Sequence, residues 1–213
     1  MGRWEPNARG RLEQAAWQLF KERGYTQTTV EDIAARAGLT ERTFFRHFAD
    51  KREVLFWGAS ALQKVIVDAI ADAARTTAPL DTVAAALAAA AGMLQPRREY
   101  ARERQALIAA HAELQERESI KLRSIATALA EALRRRSVAE PAATLTAEAG
   151  VTVFKVAFER WIEDTKPRDF AHHIRATLDE LKAVTGAMRT APSTSRALKP
   201  SRRKSRRARS ASQ

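Results

Sequence analysis

Near the N-terminus, apolar positions recur with helical spacing and are interrupted by glycine or capping residues. Leu12, Ala15, Ala16, Leu19 and Phe20 form a stripe at i, i+3, i+4, i+7 and i+8, which predicts a helix over about 7–23. Gly24 then stands where a left-handed C-terminal cap would go. A second helix begins at Thr28 or Thr29, either of which can cap it, and Thr28 with Glu31 has the capping-box spacing. Val30, Ile33, Ala34 and Ala37 make its inner face, and Gly38 ends it. Thr40 caps a third helix over 41–48. Asp50, with Glu53 as capping-box partner, starts a fourth that continues to about Arg75.

The remainder predicts longer helices. One covers 81–94, alanine-rich and closed by Pro96; 97–136 forms one helix or two, broken near His111. Another runs from Pro141 to about Asp164, and Pro167 separates it from a last helix, Asp169 to Met188. No segment sustains period-2 alternation, so the expected fold class is all-α. The alanine run Val83 to Ala91 either permits close helix approach or leaves space for a bulky apolar ligand. Beyond Met188 the Ser/Pro/Arg/Lys mixture offers too little apolar surface to offset chain ordering, and 189–213 is expected to be a disordered basic C-terminal tail.

The hydrophobic fraction of 45% is enough for a core. Cysteine is absent, which excludes disulfides and thiolate chemistry. No uninterrupted apolar run reaches the roughly 18 residues that span a bilayer. The opening Met-Gly-Arg-Trp-Glu-Pro lacks a signal-peptide core, so a soluble, cytoplasmic protein without membrane contact is expected. The net charge of +12 suggests a polyanionic partner, but nine basic residues lie beyond position 188 and leave only +3 on the rest. Charge by itself therefore argues weakly for DNA.

The local pattern argues more strongly. A helix-turn-helix needs a support helix with an apolar inner face, a tight Gly-bearing turn, and a second helix with a polar, basic outer face. Residues 29–48 supply each: Val30, Ile33, Ala34, Leu39, Phe44 and Phe48 can pack inward against Leu12, Ala16 and Leu19. The outward set is Glu41, Arg42, Thr43, Phe45, Arg46 and His47.

The sequence Leu19-Phe20 … Gly24-Tyr25 … Thr28-Thr29-Val30-Glu31-Asp32-Ile33-Ala34 … Ala37-Gly38-Leu39 … Arg42-Thr43-Phe44-Phe45-Arg46-His47-Phe48 … Lys51-Arg52-Glu53-Val54-Leu55 resembles the DNA-binding domain of the TetR family. The resemblance covers about the first quarter of the chain. It implies a three-helix DNA-binding head (7–57, helix-turn-helix 29–48) and a larger helical body (58–188). That body would bind a small effector and dimerise through its last two helices, so the implied partners are double-stranded DNA, a second copy of the chain and an apolar effector. Thr43-Phe44-Phe45-Arg46-His47-Phe48 with Phe56-Trp57-Gly58 is similar to a subgroup of which some members respond to acyl-CoA-like ligands.

The resemblance and helix geometry together assign residue roles. Thr29 would offer its N–H and hydroxyl to a phosphate at a helix start, where the dipole favours an anion. Lys51, a cation at another helix start, is electrostatically misplaced there unless an external anion accompanies it. His47 resembles a phosphate-bonding position. Arg42, Thr43 and Arg46 are the candidates for base edges, arginine presenting two donors to guanine and the threonine methyl suiting thymine. Where the family usually has tyrosine, Phe45 can make only an apolar contact.

Residues 58–188 show no catalytic constellation. Four histidines are scattered, and His172 and His173 point about 100° apart on a helix, so no metal site is expected, nor a cofactor, nor an enzyme. Acidic residues, among them Glu113, Glu116, Glu118, Glu131, Glu159, Glu163 and Asp164, interleave with basic ones as on a solvated helix. Candidate effector-pocket residues are Met93, Leu94, Tyr100, Leu107, Phe154 and Phe158, and Ile108, Leu122 and Ile125 could line the same cavity. Apolar stripes for dimerisation are offered by Phe154, Phe158, Trp161, Ile162, Ile174, Leu178 and Leu181. The expected function is a sequence-specific repressor released by its effector. The rival is an effector-independent, nucleoid-type DNA-binding dimer, whose body would be fully packed.

Overall fold

A computed structural model describes residues 7–166 and 168–190. Pro167, and all of the expected tail except its first two residues, lie outside them. The described residues are helices and turns, with no strand among them.

Helix α1 (Ala8–Arg23) is capped by Asn7, whose Oδ1 accepts from the Gly10 N–H at 3.1 Å. Its predicted stripe is buried throughout. Gly24 takes φ 81° but ψ 159°, an extended positive-φ conformation essentially reserved for glycine, not the left-handed helical cap expected. Helix α2 (Val30–Arg36) starts one residue later than the Thr28–Glu31 box implies. Thr29 caps it, and Asp32 returns the bond to the Thr29 N–H. Thr28 is buried instead, its hydroxyl donating to the Gly24 carbonyl at 2.9 Å. At the other end the Gly38 N–H reaches Ala35 O and the Leu39 N–H reaches Ala34 O, a Schellman closure made possible by φ 65° at Gly38. Thr40 caps α3 (Glu41–His47), which buries Phe44.

The single helix expected from Asp50 to Arg75 is divided. Asp50 caps a tight 3-10 turn, Glu53–Phe56, by accepting from the N–H groups of Arg52 and Glu53. Glu53 does not complete a capping box; its carboxylate pairs with Arg117 and Lys121. Val54, Leu55 and Phe56 are consecutive and all buried, which one face of an α-helix turning 100° per residue cannot accomplish. After Trp57 and Gly58, α4 (Ala59–Asp72) begins. It ends where the Arg136 guanidinium donates to the carbonyls of Ile70, Ala73 and Ala74. The stretch Lys51–Asp72 is apolar and long enough to cross a membrane by composition. Here it is broken at the turn, and Ile66 and Ile70 are buried in the core.

Helix α5 (Pro79–Leu94), with Pro79 in its first turn, runs through the body. Its alanines serve close approach: Ala84, Ala86, Ala90 and Ala91 are buried, and a Cβ on Gly150 of α8 would stand 2.4 Å from Val83 Cγ1. Helices α6 (Arg98–Ala109) and α7 (Ala112–Arg135) meet at an elbow at Ala110 and His111. Helices α8 (Ala142–Glu163) and α9 (Phe170–Thr190) complete the body.

Two apolar clusters result. One joins α1–α3 and the 3-10 turn with Ile108 and Leu114 of the α6–α7 elbow; the other joins α4–α9, with Ala101 as the contribution of α6. Trp161 stacks on Phe170 at 4.8 Å within the second. Trp161, Ile162, Ile174 and Leu178 are buried inside the protomer and Leu181 packs against the same core. The stripes expected to face a partner therefore face inward, because α8 and α9 need them to hold the body together. Outward on these helices stand Leu145 and Val184, 65% and 62% exposed.

Candidate functional site

Helix α3 presents Arg42, Phe45 and Arg46 at i, i+3 and i+4, one exposed face. Phe45 is 55% exposed, an unusual placement for a phenylalanine with core on the opposite face of the same helix. Thr43 is half-buried, its hydroxyl 3.1 Å from that of Thr40. His47 closes the helix with Nε2 buried and unbonded. Burial, then the charges of Arg46 and Arg9, push its pKa below the ordinary histidine value, which favours the neutral ring. Arg9 was not foreseen: it donates to the His47 carbonyl at 3.3 Å and lies over the Phe48 ring. As a cation in the first turn of α1 it opposes the helix dipole, the same mismatch that singles out Lys51 in the sequence.

At two head residues the structure supplies an intramolecular partner where a phosphate was expected. Lys51 does not offer a free charge. Its Nζ donates to the carbonyls of Tyr25 and Thr28, each at 3.0 Å, more weakly to Thr26, and lies 4.4 Å from the Tyr25 ring centroid. An internal set of carbonyl oxygens takes the place of the external anion. At Thr29 both the N–H and the hydroxyl are bonded to the Asp32 carboxylate, at 3.0 and 2.7 Å, so the cap occupies the groups assigned to a phosphate.

In the body, a cavity of about 260 Å³ opens between the 3-10 turn, the start of α4, the end of α5, and α6, α7 and α8. Met93, Leu94, Tyr100, Phe154 and Phe158 line it, together with Leu122 and Ile125. Leu107 does not. The α6 lining ends at Arg104 and Gln105, and Leu107, further along, packs with Ile108 in the head cluster.

The polar part of the lining escaped the sequence reading. Arg104 donates from Nε to the Leu55 carbonyl at 2.8 Å, lies 4.8 Å from the Phe56 ring, and pairs with Glu118 at 3.4 Å. Burial pushes its pKa below the ordinary arginine value. Lys121 reaches Glu53 at 2.9 Å, and Arg117 pairs with the same carboxylate. Glu118 and Lys121 lie at i+4 and i+7 from buried Leu114, inside the apolar register of α7. That register was the available signal. Asp164, likewise expected to be solvated, is 6% exposed at its side chain and accepts from Arg168 and from the Lys166 N–H.

Residues 13–56 match the family described as bacterial regulatory proteins, tetR family, and residues 77–186 match the MftR C-terminal domain of TetR regulators. The transcriptional regulator TcmR of Streptomyces glaucescens is 37% identical over 87 residues, 41% of this chain and 38% of TcmR. The transcriptional repressor KstR2 of Mycobacterium tuberculosis is 45% identical over 47 residues, 22% of this chain and 24% of KstR2. The matched regions thus span well under half of these relatives. Among solved structures, the triclosan complex of SmeT, the efflux-pump repressor of Stenotrophomonas maltophilia, superposes with a TM-score of 0.59 at 21% identity, covering 83% of this chain and 90% of SmeT.

Proposed function

Because the chain belongs to the TetR family of bacterial regulatory proteins, we propose that it is a DNA-binding transcriptional repressor released from a near-palindromic operator by a small apolar effector. The observation that carries this reading is a largely apolar cavity whose wall includes Leu55 and Phe56, residues that also close the core of the head. A fully packed body would have favoured the nucleoid-type rival.

In this reading 7–57 is the head, 58–188 the effector-binding and dimerisation body, and 189–213 a basic tail. Arg42 and Arg46 address base edges, Thr43 and Phe45 supply apolar contact, and Arg9 beside His47 meets the phosphate backbone. Two copies pair through the outer faces of α8 and α9 around Leu145 and Val184, setting the two recognition helices about 34–36 Å apart. The protein acts in the cytoplasm, where the DNA is. At about 260 Å³ the cavity lies just below the usual range for drug-sized ligands. An acyl-CoA-like effector would place its acyl chain inside and its nucleotide outside. The decisive experiment is selection of genomic fragments by the purified protein, followed by release with candidate effectors. Recovery of one near-palindromic motif supports the reading. Unselective recovery, or a monomer in sedimentation at micromolar concentration, refutes it.

A further inference from the structure

The charges lining the cavity do not cancel among themselves. Glu13 pairs with Arg97 and Glu118 with Arg104, each at 3.4 Å, whereas Lys155 and Glu159 stand one turn apart on α8, both exposed and without a salt bridge between them. Lys121 is the partly buried cation of the lining whose partner lies outside it. Its counter-charge, Glu53, is not part of the lining; it stands on the 3-10 turn, 2.9 Å from Lys121 Nζ, where it also accepts from Arg117. The lining therefore carries four cations against three carboxylates; Lys155 is exposed, and Lys121, 28% exposed at its side chain, is the one held by a carboxylate that can be exchanged. Beside it the wall is Leu122, Ile125 and Phe158. A charge facing a low-dielectric space attracts an opposite charge more strongly than the same charge in water.

We infer that the cavity takes an apolar molecule bearing one anionic group, and that Lys121 receives this group in exchange for Glu53. The inference rests on the reading of the cavity as the effector site. Lysine carries three donors on a flexible stem, so it can turn from one carboxylate to another without moving its helix. Glu53 then keeps Arg117 and gives up the second of its two cations. Glu53 opens the turn whose Val54, Leu55 and Phe56 lie in the head core, so the exchange loosens the head's attachment to α7.

Decanoate and 1-decanol, matched in chain length and differing in charge, are titrated calorimetrically into the full chain. Decanoate is expected to bind severalfold more tightly than the alcohol, less than the roughly tenfold worth of a full charge-assisted bond because Lys121 gives up Glu53 in the exchange. Lys121→Met is expected to remove that advantage. Glu53→Gln, which keeps Lys121 and removes its competitor, is expected to tighten decanoate severalfold relative to decanol, and it decides the matter alone should Lys121→Met fail to fold. Equal binding of both probes by the unaltered chain, or no gain for decanoate in Glu53→Gln, overturns the inference while the cavity reading stands. If neither probe binds, the cavity reading falls and the inference with it.

Discussion

Replacing Lys51 by methionine separates a structural lysine from a DNA-contacting one. The ammonium makes two hydrogen bonds of 3.0 Å to the carbonyls of Tyr25 and Thr28 and sits 4.4 Å from the Tyr25 ring centroid. A hydrogen bond to a charged group contributes about 1.5–3 kcal/mol when buried, and the partial exposure here brings each of the two nearer to about 1 kcal/mol, the worth of an ordinary bond. A cation–π contact adds about 0.5–1 kcal/mol. Methionine retains most of the stem's packing, so the loss falls on the polar contacts and on the carbonyls left without a donor. The expected destabilisation is about 2–3 kcal/mol, a fall of roughly 5–10 °C in Tm for a chain of this size. Far-ultraviolet circular dichroism of the DNA-free protein measures it. An unchanged Tm together with weaker binding to every DNA sequence would refute the structural assignment and return Lys51 to a phosphate.

Arg42→Ala is expected to relax base preference at one symmetric pair of operator positions, by about 1–3 kcal/mol per half-site, in selections on randomised sites. Unaltered preference would move the recognition surface off α3. Deleting 189–213 is expected to flatten the salt dependence of non-specific binding, by about 0.9 in log–log slope for each phosphate no longer neutralised; an unchanged slope means the segment does not touch DNA. Gly150→Ala would place a Cβ 2.4 Å from Val83 Cγ1 and is expected to cost about 1–3 kcal/mol, read as a lower urea midpoint.

The head was legible because its signals are local. A cap, a glycine at φ 65° and a five-residue stripe each act within one or two turns, so Gly38, Thr40 and the stripe of α1 fall where the pattern put them. The failures are non-local. Whether Thr28 or Thr29 caps α2 depends on burial of Thr28 against the α1–α2 loop. The break at Trp57 depends on three consecutive residues being drawn into a core that also contains Ile108 and Leu114. For the cavity, apolar residues at helical spacing identified its α5, α7 and α8 walls and Tyr100 but not the wall from the 3-10 turn and α4, and Leu107 was misplaced because periodicity gives a face, not how far along the helix that face meets the cavity. The ion pairs were missed for a related reason. Glu53 meets Lys121 across 68 positions of sequence, and an alternating charge pattern looks the same on a solvated helix as along a cavity wall.

The coupling between body and head is constrained by this same junction. An effector can shift the head only by its differential affinity for two arrangements, typically about 1–3 kcal/mol, so whatever it moves must be inexpensive to move. The helices flanking the junction are poor candidates, since displacing α1 or α7 would disturb fully buried Leu12, Leu19, Leu129 and Leu133. The turn Glu53–Phe56 is different. It is a short 3-10 segment, whose hydrogen-bond geometry is poorer than that of an α-helix. Its Leu55 and Phe56 belong both to the head core and to the cavity wall. Arg104 holds its Leu55 carbonyl and Lys121 its Glu53 carboxylate, and both cations line the cavity. A ligand that adds volume against Phe56 or charge beside Lys121 therefore acts on a segment that both packs in the head and borders the cavity. From there the chain reaches the end of α3 at His47 within six residues, too short a path to absorb a shift before it moves the exposed face that carries Arg42 and Arg46, the side chains proposed to address base edges.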